Sequence, residues 1–154
     1  MDNISILLPY NFTNLDQKAL GFVSKLFSHF PEVEVTLFNV YTSAPTIEMK
    51  DSPVMRKMQE NLRHLNQLKD EQEAALEKAK QQLVSQGFLE NSIRIVFKPK
   101  HKDTASHIIE TAIEEKHDVV VINRKSGKMS RFFIGSVFNK VIPALKNKTV
   151  CIVT

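Results

Sequence analysis

Residues 119–141, "VVVINRKSGKMSRFFIGSVFNKV", decide the fold more than any other part of the chain. They begin with a continuous apolar run, which is typical of a strand covered on both faces. They end with apolar residues at the spacing of an amphipathic helix. Between the two lies a polar segment with two glycines and four cationic residues. A buried strand that leads through such a loop into a helix predicts a parallel α/β sheet, and the loop is a candidate anion site.

The same alternation extends along the rest of the chain. Short apolar or β-branched runs predict strands at residues 4–10, 33–41, 92–99, 118–123 and 149–154. Helical periodicity predicts helices at residues 14–30, 54–86, 103–116 and 135–147. Thr13 and Asp103 are predicted N-caps, and Gly87 is predicted to follow the end of the second helix. The fold class is therefore α/β, with a five-stranded parallel sheet and helices on both faces.

Two of the predicted helices carry an apolar stripe. On the third helix Ile108, Ile109, Ala112 and Ile113 are predicted to face the core. The long second helix carries a helical stripe of Val54, Met58, Leu62, Leu65, Ala75, Leu76, Ala79 and Leu83, with a bend allowed between residues 69 and 73. Its first half, including Met55 and Leu68, is expected to cover the sheet, and a mobile lid at residues 42–60 is the alternative. Cys151, in an apolar run, is expected to be a small buried hydrophobe.

Length and composition limit the kind of protein. A chain of 154 residues with 42% hydrophobic residues predicts a single globular domain over residues 1–154. It has no apolar run of the roughly 20 residues that span a bilayer, so no membrane partner is expected. The N-terminal sequence lacks the features of a secretory signal, and the single cysteine fits a reducing compartment. We therefore expect a cytoplasmic protein.

Positive charge is concentrated at the C-terminal end. After Asp118 the sequence has seven Lys and Arg residues and no Asp or Glu. A field of one sign attracts anions, although a solvated helix face and loop explain the same pattern. In a parallel sheet, ligands bind outside the carboxyl ends of the strands where the strand order reverses. The loops after the first and fourth strands are thus the candidate site.

Other chemistry has little support in the sequence. The five histidines are scattered without the spacing of metal ligands, so no metal is expected. No nucleophile-elbow or P-loop pattern is present, so no catalytic residue is assigned. Basic residues without interleaved surface aromatics do not favour a nucleic-acid partner.

Three segments carry a resemblance to a known family. Residues 7–20, "LLPYNFTNLDQKAL", resemble the Pro-Thr-Asp-Phe-Ser opening of the universal stress protein family. Residues 102–123 resemble its third helix and fourth strand, and residues 130–142, "SRFFIGSVFNKVI", resemble the Leu-Gly-Ser-Val segment that opens its last helix. The resemblance implies a Rossmann-like fold of the adenine nucleotide α-hydrolase-like type, usually dimeric.

The resemblance also implies site residues after the fourth strand. Nucleotide-binding members carry Gly-x2-Gly-x9-Gly-Ser there, and Gly135, Ser136 and Val137 match its end. Counting back puts Lys125 at the second glycine and Ile122 at the first, while Gly127 fits only a shifted loop. Glycine lets a backbone approach phosphate closely, so the replacements remove room while Lys125 adds charge.

The first loop departs from the family pattern as well. The matching residues are Pro9, Tyr10 and Asn11, where ATP-binding members have Pro-Thr-Asp. Asn11 keeps a hydrogen-bonding oxygen but loses the charge. Tyr10 could stack on a base or fill the cleft. Val40 matches a position that packs against adenine in nucleotide-binding members, although a valine at a strand end also fits plain core.

We expect a universal stress protein with a stress-response binding or interaction role, a degenerate nucleotide site and no efficient catalysis. The alternative is an ATP-binding member that acts as a nucleotide-dependent switch with slow hydrolysis. ATP is the cofactor that the resemblance allows, and another anion would suit the same charges. A homodimer is expected through the last strand, "TVCIVT", because an uncharged β-branched edge strand tends to pair.

Overall fold

A computed structural model describes residues 3–46, 52–124 and 136–154, the last range without the side chain of Ser136. Five strands alternate with four helices along these residues. They are β1 (Ile4–Pro9), α1 (Asn14–Phe27), β2 (Val33–Tyr41), α2 (Pro53–Ser85), β3 (Ile93–Pro99), α3 (Thr104–Glu114), β4 (Val119–Asn123), α4 (Ser136–Ala144) and β5 (Thr149–Val153). A 3₁₀ turn, Glu90–Ser92, precedes β3. The predicted order is confirmed, and every predicted boundary lies within three residues of the observed one.

The strands form one parallel sheet in the order β3-β2-β1-β4-β5. Side chains of successive strand residues point to opposite faces, and β1 shows this directly. Its Ile6 and Leu8 join a core cluster with residues of α1 and α2, whereas Leu7 joins a second cluster with residues of α3 and α4. The sheet is therefore covered on both faces, as the apolar runs predict.

The capping residues predicted for α1, α2 and α3 are confirmed. Thr13 and Asp103 are N-caps whose side chains accept from backbone N–H groups of the first turn. Gly87 follows the C-cap of α2 with φ at +112°, a left-handed conformation that suits glycine.

The long helix α2 is one uninterrupted element of 33 residues. Only Leu76, Ala79 and Leu83 of this helix are buried, and all three lie in its second half. Val54, Met58 and Leu68 are exposed, so the expectation that the first half covers the sheet is wrong for Met58 and Leu68. The lid alternative depends on residues 42–60, of which residues 47–51 lie outside the described range.

Two further burial predictions need correction. Ile113 of α3 is 51% exposed, while Ile108 and Ala112 are buried and Ile109 is partly buried against them. Cys151 is half-buried instead of buried, and burial raises the pKa of its thiol. Among the described helices, none combines the length and the apolar character needed to cross a bilayer.

Candidate functional site

The strand order reverses between β1 and β4, which are neighbours in the middle of the sheet although they are far apart in the sequence. On the β1 side of this point the sheet continues with β2 and β3, and on the β4 side it continues with β5. Crevices at the carboxyl ends of such strands are the usual ligand sites of open α/β sheets. Tyr10, which follows β1, and Arg124, which follows β4, therefore lie at this edge of the sheet.

A capping box builds the first wall of the crevice. Thr13 caps α1, and Asp16, in the first turn, accepts from the Thr13 backbone N–H at 2.9 Å and from its hydroxyl at 2.5 Å. The Asp16 N–H points back to the Thr13 hydroxyl at 3.4 Å. The free N–H groups at the start of α1 thus already have a carboxylate beside them, so this helix start offers little to an external anion.

Asp16 also bridges the crevice. Its second carboxylate oxygen accepts a hydrogen bond of 2.6 Å from the side-chain amide of Asn123, the last residue of β4. Asp16 is 1% exposed, and three donors satisfy this buried charge. Sequence reasoning predicts Thr13 as the N-cap of this helix but gives Asp16 no role in the site. The Thr-x-x-Asp spacing predicts the cap, but it cannot reveal a partner 107 residues away.

Tyr10 directly follows β1 and is buried. Its side chain is 5% exposed, and its ring meets the Phe12 ring edge-to-face at 5.3 Å. The Gln17 amide donates to its hydroxyl. Burial raises the pKa of the Tyr10 phenol, opposed by the Gln17 hydrogen bond and assisted by the Asp16 charge. The structure places the Tyr10 ring in the core cluster of the α1–α2 face, beside Ile6 and Leu8.

The backbone around Tyr10 is held firmly. Its N–H donates to the Phe38 carbonyl at 2.8 Å, and its own carbonyl accepts from the side chain of Asn39 at 2.5 Å. Phe12, two residues on, has φ at +63°. A non-glycine residue in this left-handed region carries strain of about 1–3 kcal/mol, and such strain often occurs at functional sites. The adjacent Asn11 is exposed to solvent.

The second wall comes from β4 and α4. Ile122 is 3% exposed and pairs with Ile152 of β5 inside the sheet. It shares one apolar cluster with Val40 and Val137, which are both partly buried there. The structure therefore brings together three of the predicted site residues, but as packed core on the α3–α4 face.

Arg124 is the first residue after β4 and is exposed. Its N–H donates to the Val153 carbonyl at 2.8 Å, and its guanidinium lies 5.4 Å from the centre of the Phe138 ring. This aromatic contact leaves the guanidinium edge available to an anion. Lys125, Gly127 and Gly135 lie outside the described residues. Ser136 begins α4, and its side chain lies outside as well.

The described residues near the crevice offer few groups for binding a ligand or a metal ion. The buried carboxylate has its hydrogen bonds filled, and Pro9 and Tyr10 are buried. No three His, Cys, Asp or Glu side chains among the described residues come close enough to hold a metal ion. The described groups that suit an anionic ligand are the guanidinium of Arg124 and the start of α4 at Ser136.

Comparisons with known proteins agree with this architecture. A model of the universal stress protein family matches residues 5–152. The chain belongs to the universal stress protein family. Among curated proteins, none matches its sequence significantly.

Solved structures share the fold of this universal stress protein. One similar structure is the hypothetical protein MJ0577, used for structure-based assignment of biochemical function, with a TM-score of 0.71, 24% identity, and coverage of 99% of this chain and 96% of that chain. Universal stress protein UspA from Lactobacillus plantarum has a TM-score of 0.68 and 13% identity, covering 100% and 99% of the two chains. A universal stress protein in complex with cAMP has a TM-score of 0.62 and 15% identity, covering 100% and 98%. At these identities the likeness shows the fold alone.

Proposed function

We propose that this universal stress protein acts in the stress response by binding a partner, and that its nucleotide crevice holds adenine nucleotides only weakly. The observation that carries the proposal is the position of Tyr10. Its ring lies just beyond the end of β1, is buried in the core cluster of the α1–α2 face, packs on Phe12 and accepts from Gln17. A base or ribose that entered there would have to displace a side chain that is 95% buried, which opposes binding.

The positive charges after Asp118 are expected to give a weak affinity for phosphate. The exposed Arg124 directly follows β4, and the segment after Asp118 adds six further cations with no acidic residue. Contacts of this kind survive a poor steric fit, but salt screens them. The residues proposed to border the ligand are Pro9, Tyr10, Asn11, Val40, Ile122, Lys125, Gly127, Gly135, Ser136 and Val137.

The second candidate function is an ATP-dependent switch with slow hydrolysis. It is favoured by the similar structure of a universal stress protein in complex with cAMP, an adenine nucleotide, whose fold covers the full length of this chain. The strained Phe12 also favours it, because release of φ +63° could accompany movement of Tyr10 out of the crevice. In that case nucleotide binding and a change at Phe12 would occur together.

We further propose a homodimer of single-domain protomers, residues 1–154, in the cytoplasm. The support is β5, which pairs only with β4 among the described strands. It carries no charged residue, and its Ile152 is 41% exposed. Pairing of two copies of β5 would cover this apolar edge. Equilibrium sedimentation tests it, since Ile152→Lys should convert the dimer to monomer.

Calorimetric titration with ATP and Mg²⁺ tests the nucleotide proposal. Weak binding, with a Kd of about 0.1 mM or above, is expected at low salt and should fade at higher salt. Adenosine is the matched control, because it lacks phosphate and should not bind. Micromolar binding that tolerates salt would favour the switch instead.

A further inference from the structure

The second edge of the sheet is also open. β3 pairs with β2 on one side, and no other described strand pairs with it. Backbone groups of alternate residues point to opposite sides of a strand. The Lys100 N–H donates to the Tyr41 carbonyl at 2.8 Å, so even-numbered residues of β3 face β2. The N–H and C=O groups of Ile95 and Phe97 therefore face outward.

These outward groups lack a partner within the described chain. The Ile93 N–H, which also points outward, is capped by the Glu90 carbonyl. None of the described residues forms a comparable bond to the outward groups of Ile95 or Phe97. These two alternate residues thus offer two donors and two acceptors, which is what an added strand requires.

A groove runs beside this edge, between β3 and α2. It has a volume of about 750 Å³ and is lined by Asp70, Glu73, Ala74, Glu77, Ile95 and Phe97. Ile95 and Phe97 form an apolar floor and are only partly buried. The three carboxylates lie on one face of α2, at steps of three and four residues, and are exposed.

The groove is negative in a protein with a net charge of +4. Asp70 and Glu73 make no hydrogen bond or ion pair with any described residue, and Glu77 accepts only from the Gln81 amide. The two cations of β3 are held elsewhere. Arg94 bonds Glu115 and Thr36, and Lys98 bonds Thr111 at 3.0 Å and lies over the Phe38 ring.

We propose that this groove binds a basic, extended segment of a partner protein as a sixth strand beside β3. Asp70 and Glu77 lie about 10 Å apart along the helix axis. Alternate side chains of a strand lie about 6.6 Å apart, so two successive Lys or Arg side chains reach the carboxylate row. Their aliphatic stems lie on Ile95 and Phe97. A second copy of this chain offers no matching strand. Its edge β5 carries no Lys or Arg, and the two cations of its edge β3 are already bonded to Thr36, Glu115 and Thr111.

The test uses a fluorescent peptide of alternating lysine and valine, Lys-Val-Lys-Val-Lys-Val-Lys, and measures its binding by anisotropy. The double variant Asp70→Asn/Glu73→Gln should weaken binding about tenfold or more, since it removes two unpaired carboxylates. The control Glu60→Gln/Glu71→Gln makes the same charge change on the same helix, outside the groove, and should change binding less than about twofold. Thermal melts check that both variants fold.

Two further readouts separate strand addition from loose charge attraction. N-methylation of the peptide at alternate residues removes the donors that pair with β3 and should abolish binding. Hydrogen exchange of β3 amides should slow when the unmodified peptide binds. Equal weakening in both double variants, or binding that survives N-methylation, would overturn the proposal. So would a change in the self-association of the protein alone in Asp70→Asn/Glu73→Gln, which would make a second copy the occupant.

Discussion

The amide of Asn123 donates to the carboxylate of Asp16 at 2.6 Å, and this contact ties the end of β4 to the first turn of α1. It spans the point where the strand order reverses. Because Asp16 is buried, its charge is tolerated only while the donors from Asn123 and Thr13 remain in place. The two walls of the crevice are therefore fixed to each other.

Removal of this bridge should destabilise the fold. Asn123→Ala leaves a buried carboxylate oxygen without its donor, and the expected loss in free energy of unfolding is about 1–3 kcal/mol. Urea denaturation measures it. The matched control is Asn3→Ala, which removes another amide–carboxylate contact, to Glu34, that is exposed to solvent. Its loss should stay below about 0.5 kcal/mol. Equal losses in the two variants would contradict a bridging role for Asp16.

Arg124 should account for most phosphate affinity among the described residues. Arg124→Ala is expected to weaken ATP binding about tenfold or more, because a charge-assisted hydrogen bond contributes about 1.5–3 kcal/mol. Lys146→Ala, at an exposed position in the same cationic segment, is the control and should change binding little. Calorimetry at low salt measures both. If Lys146→Ala weakens binding as much as Arg124→Ala, only net charge attracts the anion.

His117 should make stability depend on pH. It is 1% exposed, its Nδ1 lies 2.7 Å from the Ser5 hydroxyl, and its Nε2 lies 3.3 Å from a Glu115 oxygen. Burial lowers the pKa of His117, and Arg94 and Lys148 lower it further, against the Glu115 charge. As the pH falls below about 6.5, His117 therefore takes up a proton in the unfolded state before it does so in the folded state. The free energy of unfolding is highest above that pH and declines below it.

The variant His117→Gln should flatten this decline between about pH 7 and pH 5. The slope should not vanish, because burial also lowers the pKa of His107. His64→Gln, on the exposed surface of α2, should leave the pH profile unchanged. Urea denaturation across this pH range gives the comparison. An unchanged slope in His117→Gln would show that its proton is not linked to folding.

Much of the fold follows from local sequence signals. Capping residues such as Thr13, Asp103 and Gly87 act over one helical turn, so they can be recognised from spacing alone. The apolar stripe of α2 led to the wrong prediction that the first half of the helix covers the sheet, and the reason is geometric. A helix of 33 residues extends about 50 Å, whereas the longest strand, β2, has nine residues and extends about 30 Å. Periodicity shows which face is apolar, not how far the sheet reaches.

The site was less predictable than the fold. Family resemblance pointed to Tyr10 and Ile122, but it could not tell whether either side chain faces a ligand or the core. The partners of Tyr10 include Phe12 and Gln17, which are close in sequence, and Phe38 and Asn39, which come from β2. The Asp16–Asn123 bridge likewise depends on β1 and β4 being neighbours, which follows from topology and not from local sequence.

The central claim is that the Tyr10 ring keeps adenine nucleotides out of the crevice, and titration of Tyr10→Ala with ATP and Mg²⁺ tests it most directly. This variant should bind ATP about tenfold or more tightly than the parent, because the side chain no longer has to be displaced. It should also lose about 3–5 kcal/mol of stability, so Tyr10→Val, which leaves a smaller cavity, is measured beside it.

Tyr41→Ala is the matched control, since it removes the other tyrosine, whose ring packs against Phe97 on β3. It should leave ATP affinity unchanged. The account predicts weak, salt-sensitive binding by the parent and by Tyr41→Ala, with a clear gain in both Tyr10 variants. Tight binding by the parent that is lost in Tyr10→Ala would contradict it, because Tyr10 would then hold the nucleotide instead of excluding it.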